Sequence, residues 1–390
     1  MNSRNPIRML YVHAASIDTI APAAVQVLRM CQAFSNLGIN VTLAAAIGDE
    51  KRTEEEYRNA VEDRMGIRPS FGIVSYNVHT IFGRFKLLGG YFSVKSVIEN
   101  LEPDVVFLRN IVFVPAAIKN GTPFIYESHN ANMHNDSKII SEFWTRYIVR
   151  NSSSRLMKKF IAISDALERY WLDRGIPDEK LMAVHDGFDE KCFTEQLDKS
   201  EARRILGLPP DRKIVLYMGS LHADRDIENI IDMGEKRMDV LFLVIGGAEK
   251  EKQHYVDIVN LRGLENIEFW GYVKHKDAPI YLYAADILLM IWSRKVKTIE
   301  YCSPLKLFEY MAAGRIIVGH GFTTITEVLT HNQNAFLVDP DLPEDLFDKL
   351  TLALNLMPEE FGKKSRQLAF EKYSWDKRAK LIVDAALCDL

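Results

Sequence analysis

At 390 residues the chain exceeds the usual size of one domain, and a composition of 47% hydrophobic and 26% charged residues gives each of two domains its own core. A net charge of −4 argues against a protein that coats nucleic acid, so no nucleic-acid partner is expected. The four cysteines, Cys31, Cys192, Cys302 and Cys388, lack C-x-x-C spacing, which disfavours a zinc site or a disulfide framework and fits a reducing cytoplasm. Runs such as DILLMIW fall short of the roughly 18 residues that span a bilayer and read as buried strands. Ile7 to Ala14 is the first strand; Arg4 and Arg8 lend it only a faint likeness to a signal peptide, because the apolar run is short and contains His13. From Ala21 to Leu37, Val25, Leu28, Met30, Cys31 and Phe34 follow helical spacing, with Gly38 as the stop. NVTLAAAI is the next strand, so strand, helix and strand form a βαβ unit of a parallel sheet. The loop ASIDTIAPAA lies at the edge where such a sheet binds ligands.

Lys51 to Arg64 is dense in both charges and reads as a solvated helix without a function. IFGRFKLLGGYFSVKSVIEN then sets Phe82, Phe85, Leu87, Leu88, Tyr91 and Phe92 beside Arg84, Lys86 and Lys95. That pattern suits interior packing first, and contact with a membrane surface or a lipid-linked acceptor second. A later basic run with Arg146, Arg150, Arg155 and Lys158 raises the same question. After the strand DVVFLRN comes PFIYESHNANMH, in which Phe124 to Tyr126 form a strand and Glu127, Ser128 and His129 fall at its ligand-facing end. A lone histidine is more often a hydrogen-bonded structural residue than a catalytic one, and His134 is a second candidate nearby. KKFIAIS is a strand, Ser164 caps the following helix, and a Gly-Ile-Pro break leads to another strand.

Beyond a hinge near Cys192 to Leu206, KIVLYM is a strand that ends at Gly219 and Ser220, with a helix beginning around Arg225. Gly219 permits close approach of a phosphate, and a helix start supplies amides for it. Arg225 either serves that anion or pairs with Asp224 or Asp226. VLFLVIGG, NIEFWGYV and DILLMIW extend a second doubly wound parallel sheet. In SPLKLFEYMAAGRIIVGH, Ser303 is placed to cap a helix with Pro304 in its first turn. Leu307, Phe308, Met311 and Ala312 share one face, Gly314 stops the helix, and Ile316 to Val318 form a strand. Lys306 and Glu309 are neighbours on its first turns. They are either an ordinary surface ion pair or a cation and a carboxylate at an anion-attracting helix end.

This last stretch resembles the signature of retaining nucleotide-sugar glycosyltransferases of glycosyltransferase family four, in a subgroup with an SP-x-K-x-x-EYMAAG pattern. The likeness runs over nearly the whole chain, dense after Gly219 and sparse before Glu127. Gly187 and Asp189 of HDGFD fall on the family's N-G-V-D turn, HNQNAFLVDP resembles its G-x-N-G-x-L-V turn with Ala335 in the glycine's place, and EKYSWDKRAKLIVDAAL resembles its terminal helix. The resemblance implies an α/β GT-B fold, with two doubly wound parallel-sheet (Rossmann-like) domains facing across a cleft. Residues 1–192 would bind the acceptor, 193–370 the nucleotide sugar, and 371–390 would form a terminal helix crossing back toward the first domain.

The same resemblance implies site roles. Glu309 would hold the donor's ribose hydroxyls; Ser303, Pro304, Leu305 and Lys306, with Gly219, Ser220 and Arg225, would hold its diphosphate. Val273 would meet the base through its backbone, and His129 the donor sugar near the reacting carbon. His129, Arg225 and Lys306 are thus the expected catalytic residues, with no metal or other cofactor beyond the donor. Three departures stand out: Tyr301 replaces a sugar-contacting glutamate, with Glu300 one residue off; Ala23 and Ala24 replace paired glycines; Ser220 and Arg225 replace the arginine and lysine of G-R-L-x-x-x-K-G. The implied reaction is transfer, with retention, from a nucleotide sugar to a glycan, lipid-linked or small-molecule acceptor in cell-envelope polysaccharide or glycoconjugate synthesis. It would occur in the cytoplasm, with peripheral contact at the inner membrane face as an extension. Two rivals stay open: a nucleotide-sugar epimerase of the same fold, and a non-catalytic nucleotide-sugar-binding partner.

Overall fold

A computed structural model describes residues 5–17, 19, 21–46, 53–76, 86–131, 137–342 and 344–388. His134, Phe82, Arg84 and Phe85 lie outside the described residues. The chain forms two compact units. The first comprises Met1–Asp186, Tyr301–Ser303 and Trp375–Leu390; the second comprises Gly187–Glu300 and Pro304–Ser374.

The first unit is built on β1 (Arg8–His13), β2 (Asn40–Ala46), β3 (Gly72–Tyr76), β4 (Val105–Leu108), β5 (Phe124–Ser128), β6 (Met157–Ala162) and β7 (Leu181–Ala183). They form one parallel sheet in the order β3-β2-β1-β4-β5-β6-β7. The chain runs outward from β1 to β3, then returns to β4 on the other side of β1, so the order reverses between β1 and β4. At such a reversal the loops at the carboxyl ends part and leave room for a ligand. The apolar runs are strands because helices cover both faces: Val105, Val106, Phe107 and Leu108 are all buried, as continuous runs in parallel sheets should be. Ser164 caps the helix Asp165–Asp173 as its sequence predicts, accepting from the Leu167 amide at 3.2 Å.

Two expectations for this unit change. The helix Glu54–Met65 is not wholly solvated, because Tyr57, Val61 and Met65 are buried; a capping box between Thr53 and Glu56 fixes its start. The terminal helix starts later than residue 371: Glu371 and Lys372 still belong to the helix Glu359–Lys372 of the second unit, and after a break at Tyr373 and Ser374 the first unit gains the helix Trp375–Ala386. The latter helix packs against the helix Pro22–Asn36, where Asn36 Nδ2 donates to Asp376 Oδ1 at 3.0 Å.

The second unit carries β8 (Lys213–Met218), β9 (Val240–Ile245), β10 (Ile267–Gly271), β11 (Ile287–Met290), β12 (Ile316–His320) and β13 (Phe336–Val338). Its parallel sheet has the order β10-β9-β8-β11-β12-β13, so the same reversal recurs between β8 and β11. Ile214, Leu216, Leu241, Leu243, Leu288 and Ile317 are fully enclosed in its core; each such side chain contributes about 1.5–3 kcal/mol on leaving water. The end of the sheet away from the site is fixed by Asp286, which accepts from Arg203 Nη2 at 2.6 Å, Lys199 Nζ at 2.8 Å and the Ile214 amide at 2.8 Å. Gly314, at φ +69°, ends the helix Leu305–Ala313 in the left-handed conformation that a side chain disfavours.

Candidate functional site

In the second unit, the groups predicted to hold a diphosphate gather where the strand order reverses. Gly219 and Ser220 follow β8 directly. Gly246, at φ +117°, lies so close behind that a Cβ there would fall 2.1 Å from the Gly219 carbonyl oxygen, so the β8 and β9 ends touch backbone to backbone. Arg225 Nε donates to Ser220 Oγ at 3.1 Å, while Asp224 is looser at 3.8 Å and Asp226 pairs instead with Lys295 at 3.2 Å. The serine that stands in the arginine's place therefore steers the remaining arginine. Lys306 Nζ lies 4.3 Å from the Tyr217 ring centroid and 5.4 Å from that of Trp292, and the Arg225 guanidinium carbon lies 4.9 Å from the Trp292 centroid. Gly219 is also beside Lys306: a Cβ there would lie 3.3 Å from Nζ. Two cations, a glycine and an aromatic wall thus converge.

The helix that carries Lys306 begins at Leu305, with Pro304 in the capping position. This corrects the placing of Ser303 as its cap: Ser303 belongs to the first unit and its Oγ accepts from the Asp186 amide at 2.8 Å. Proline at the cap makes a side-chain cap unavailable, and the Leu307 amide turns back to the Pro304 carbonyl at 3.0 Å, so the first turn is closed by backbone alone. A second shift concerns Arg225. It sits in a 3-10 turn, Ala223–Arg225, and the helix proper starts at Glu228, because Asp226 takes a left-handed φ of 52° and interrupts the turn. Glu309, only 9% exposed, accepts from His275 Nε2 at 2.6 Å. Val273 lies between Gly271 and His275, half-buried against the same core. His275 was not anticipated; nothing in its local sequence marks it as the partner of a carboxylate on another helix.

Where the family pattern would place a sugar-contacting glutamate, Tyr301 packs on Tyr170 at 5.6 Å between centroids, and its carbonyl accepts from Ser164 Oγ at 2.9 Å. It is a packing residue of the first unit. Glu300 belongs to the second unit, where it lies 3.5 Å from Arg294.

In the first unit His129 sits beyond the end of β5, within a network of buried charges. Its Nε2 is 2.7 Å from Glu127 Oε1, and its Nδ1 is 3.4 Å from Arg109 Nη2. Arg109 Nε also reaches Nε2, at 3.0 Å, so this nitrogen sits between a carboxylate that accepts and a guanidinium that donates, and the ring is pinned from both sides. Burial, then the neighbouring Arg109 charge, hold the His129 pKa down to about 4, so the ring is neutral at pH 7. Glu127 is fully buried, which pushes its pKa up, but Arg378, His129 and Arg109 together pull harder and leave it well below the ordinary range. Arg378 Nη2 reaches Glu127 Oε2 at 2.8 Å from the last helix, and its Nε donates to the His185 carbonyl at 2.9 Å. Gln26 Nε2 bridges Glu127 Oε1 at 3.1 Å and Asp186 Oδ1 at 2.7 Å. Burial raises Asp186 to about 6, with Arg378 opposing and Glu127 adding. His13 closes β1 beside Arg109 and is lowered to about 3 by burial and by that arginine. Arg109, Asp186 and Arg378 were all missed from sequence. Only Arg109 carried a signal, as a charged residue directly after the apolar run VVFL at a ligand-facing strand end.

The comparisons with known proteins bear on the fold that carries these groups. Residues 23–191 match the family model described as Glycosyltransferase Family 4, and residues 198–368 match that of Glycosyl transferases group 1. An uncharacterized glycosyltransferase of Methanocaldococcus jannaschii, MJ1607, is 24% identical over 220 residues, covering 53% of this chain and 54% of its own length. The chain spans about half the length of the curated relatives it matches. Among solved structures, Anabaena Alr3699/HepE in complex with UDP and glucose is similar with a TM-score of 0.73 at 18% identity, covering 98% of this chain and 100% of that one. The lipopolysaccharide outer core galactosyltransferase WaaB, in apo form, is similar with a TM-score of 0.69 at 13% identity, covering 98% and 100%. With the first of these family models on one Rossmann-like unit and the second on the other, the chain belongs to the glycosyltransferase families of GT-B fold.

Proposed function

We propose that this protein transfers a sugar, with retention of configuration, from a nucleotide-sugar donor to a glycan or lipid-linked glycan in polysaccharide or glycoconjugate synthesis. The observation that carries the reading is the convergence of Gly219, Arg225 and Lys306 on the start of the helix that bears Glu309. The barrier in such a reaction lies in parting the anomeric carbon from the diphosphate, so fixed positive charge at the leaving oxygen is the effective tool. Arg225, Lys306 and the positive end of the helix Leu305–Ala313 supply it, with no metal called for. Glu309, steadied by His275, would take the ribose hydroxyls, and the Val273 backbone the base. The acceptor hydroxyl would attack from the face the diphosphate leaves, forming the new C–O bond as the old one breaks and passing its proton to the departing phosphate oxygen. His129 is neutral and would orient the donor sugar rather than attack it.

Relatives that bind UDP or act on lipopolysaccharide support the donor class and the setting, each by the fold alone. Among the described residues no helix is long and apolar enough to cross a membrane. Contact with a lipid-linked acceptor has its own support in the helix Lys138–Ser152, where Ile139 is 83% and Phe143 59% exposed beside Arg146 and Arg150. A thermal-shift panel of UDP-, GDP- and ADP-sugars tests the reading, because stabilisation follows affinity. One nucleotide should stabilise the wild type and fail to stabilise Glu309→Ala; an equal shift in the variant would sink the ribose assignment. Nucleotide released only after acceptor is added separates transfer from epimerisation.

A further inference from the structure

The diphosphate site includes a residue that the family pattern does not assign. Trp292 follows the end of β11, on the far side of the strand reversal from Gly219. Its ring serves two cations at once, Arg225 at 4.9 Å and Lys306 at 5.4 Å from the centroid. The face of an indole attracts cations, so one ring can hold two like charges near each other before any anion arrives. The indole Nε1 is buried and has no hydrogen-bond partner among the described residues, and the same is true of Arg225 Nη1. Both are obligate donors, and a buried donor left unpaired is a standing cost that an incoming oxyanion removes. A third such group lies behind them. The Trp292 amide donates to His320 Nδ1 at 3.2 Å, which places the imidazole proton on Nε2, and that nitrogen too is buried without a partner among the described residues. His320 is 3% exposed and ends β12, the neighbour of β11, so it fixes the backbone from which the indole projects.

We propose that Trp292 is a donor-binding residue: its ring holds Arg225 and Lys306 side by side, and its indole N–H donates to an oxygen of the diphosphate they bind. This rests on the nucleotide-sugar reading above. An ordinary packing tryptophan would affect every ligand of the unit alike, whereas this role acts on the diphosphate alone.

The test is calorimetric titration of wild type, Trp292→Phe and Trp292→Leu with UDP, GDP and ADP and with the matching monophosphates, each variant first checked by near-UV circular dichroism. Phenylalanine keeps a ring face and loses the N–H, so the preference for the diphosphate over its monophosphate should fall about tenfold. Leucine loses both, and the preference should fall about a hundredfold. Titration of the tight-binding diphosphate should also change tryptophan emission in the wild type and leave it unchanged in Trp292→Phe. If Leu fails to fold, the Phe variant decides. A diphosphate preference equal to wild type in Trp292→Phe overturns the N–H contact, and the same result in Trp292→Leu overturns the proposal while leaving the nucleotide reading intact. A wild type that binds none of the three diphosphates overturns the reading on which the proposal rests.

Discussion

The two units reverse their strand order in the same way and treat charge in opposite ways. At the carboxyl edge of the first sheet, the Glu127 and Asp186 carboxylates face Arg378 and Arg109, with Gln26 between them and His129 bonded at both ring nitrogens. At the same edge of the second, Arg225 and Lys306 crowd one indole ring, and Arg225 Nη1, Trp292 Nε1 and His320 Nε2 are buried donors without partners among the described residues. A parallel sheet with a strand reversal offers a place for polar groups, and the groups decide its use. The first edge is largely neutralised from within and holds a histidine still. The second is arranged for an anion.

If that contrast is right, the largest effect on stability should come from the first edge. Arg378→Ala leaves the Glu127 carboxylate buried beside Asp186 with its principal counter-charge gone. Losing one partner of a buried pair costs about 3–5 kcal/mol, and urea unfolding should show a loss of that order. The double variant Arg378→Met with Glu127→Gln removes the charge problem and should recover much of it; a loss as large as in the single variant would mean that packing, not charge, is what Arg378 supplies.

The next largest effect belongs to the second edge and should appear in rate. On the proposed reading Lys306→Ala and Arg225→Ala would each remove one cation from the departing diphosphate, and each should lower kcat by about 100- to 1000-fold. The carboxylate beside Arg225, Asp224, is only loosely paired at 3.8 Å and its side chain is 38% exposed, so urea midpoints should move little. A large midpoint shift with kcat preserved would assign these cations to structure and erase the difference between the edges. The smaller effect of His275→Ala tests the proposed ribose pocket: it should raise KM for the donor more than it lowers kcat, since His275 meets Glu309 at 2.6 Å and in that proposal would touch no reacting atom.

Much of this was legible in the sequence, and where it failed the reason is physical. Continuous apolar runs such as KIVLYM and VLFLVI are buried on both faces only in a parallel sheet, and both occupy the strands expected of them. Gly219 directly after β8 and Lys306 in the first turn of its helix lie at element ends, where local pattern locates a residue well. Ser303 shows the limit: its spacing suits a cap, yet its hydroxyl serves Asp186, 117 positions away. Arg378 is harder still, because its partner Glu127 is 251 positions distant and a lysine- and arginine-rich terminal helix looks the same whether one arginine is buried or none is. Trp292 read as the end of a buried strand, and only the fold brings two cations to its ring.

The smallest effect is a slope. His13 and His129 are held down to about 3 and 4, while an unfolded histidine takes up its proton near 6.5. Between about pH 4 and 6.5 the unfolded chain therefore binds more protons at these two sites, so each makes stability rise with pH and is complete above about 6.5. Asp186 works the other way. Its folded pKa of about 6 exceeds the unfolded value near 3.9, so the folded chain binds the extra proton and stability falls as pH climbs between those values. Glu127, held low by Arg378, His129 and Arg109, adds a rise only toward the acid end. With two histidines against one aspartate, urea stability should increase from about pH 4.5 to 6 and then level. Asp186→Asn should steepen the rise, and His129→Asn should flatten it. A profile that Asp186→Asn leaves unchanged would show that the first edge is not the coupled charge network on which its contrast with the second depends.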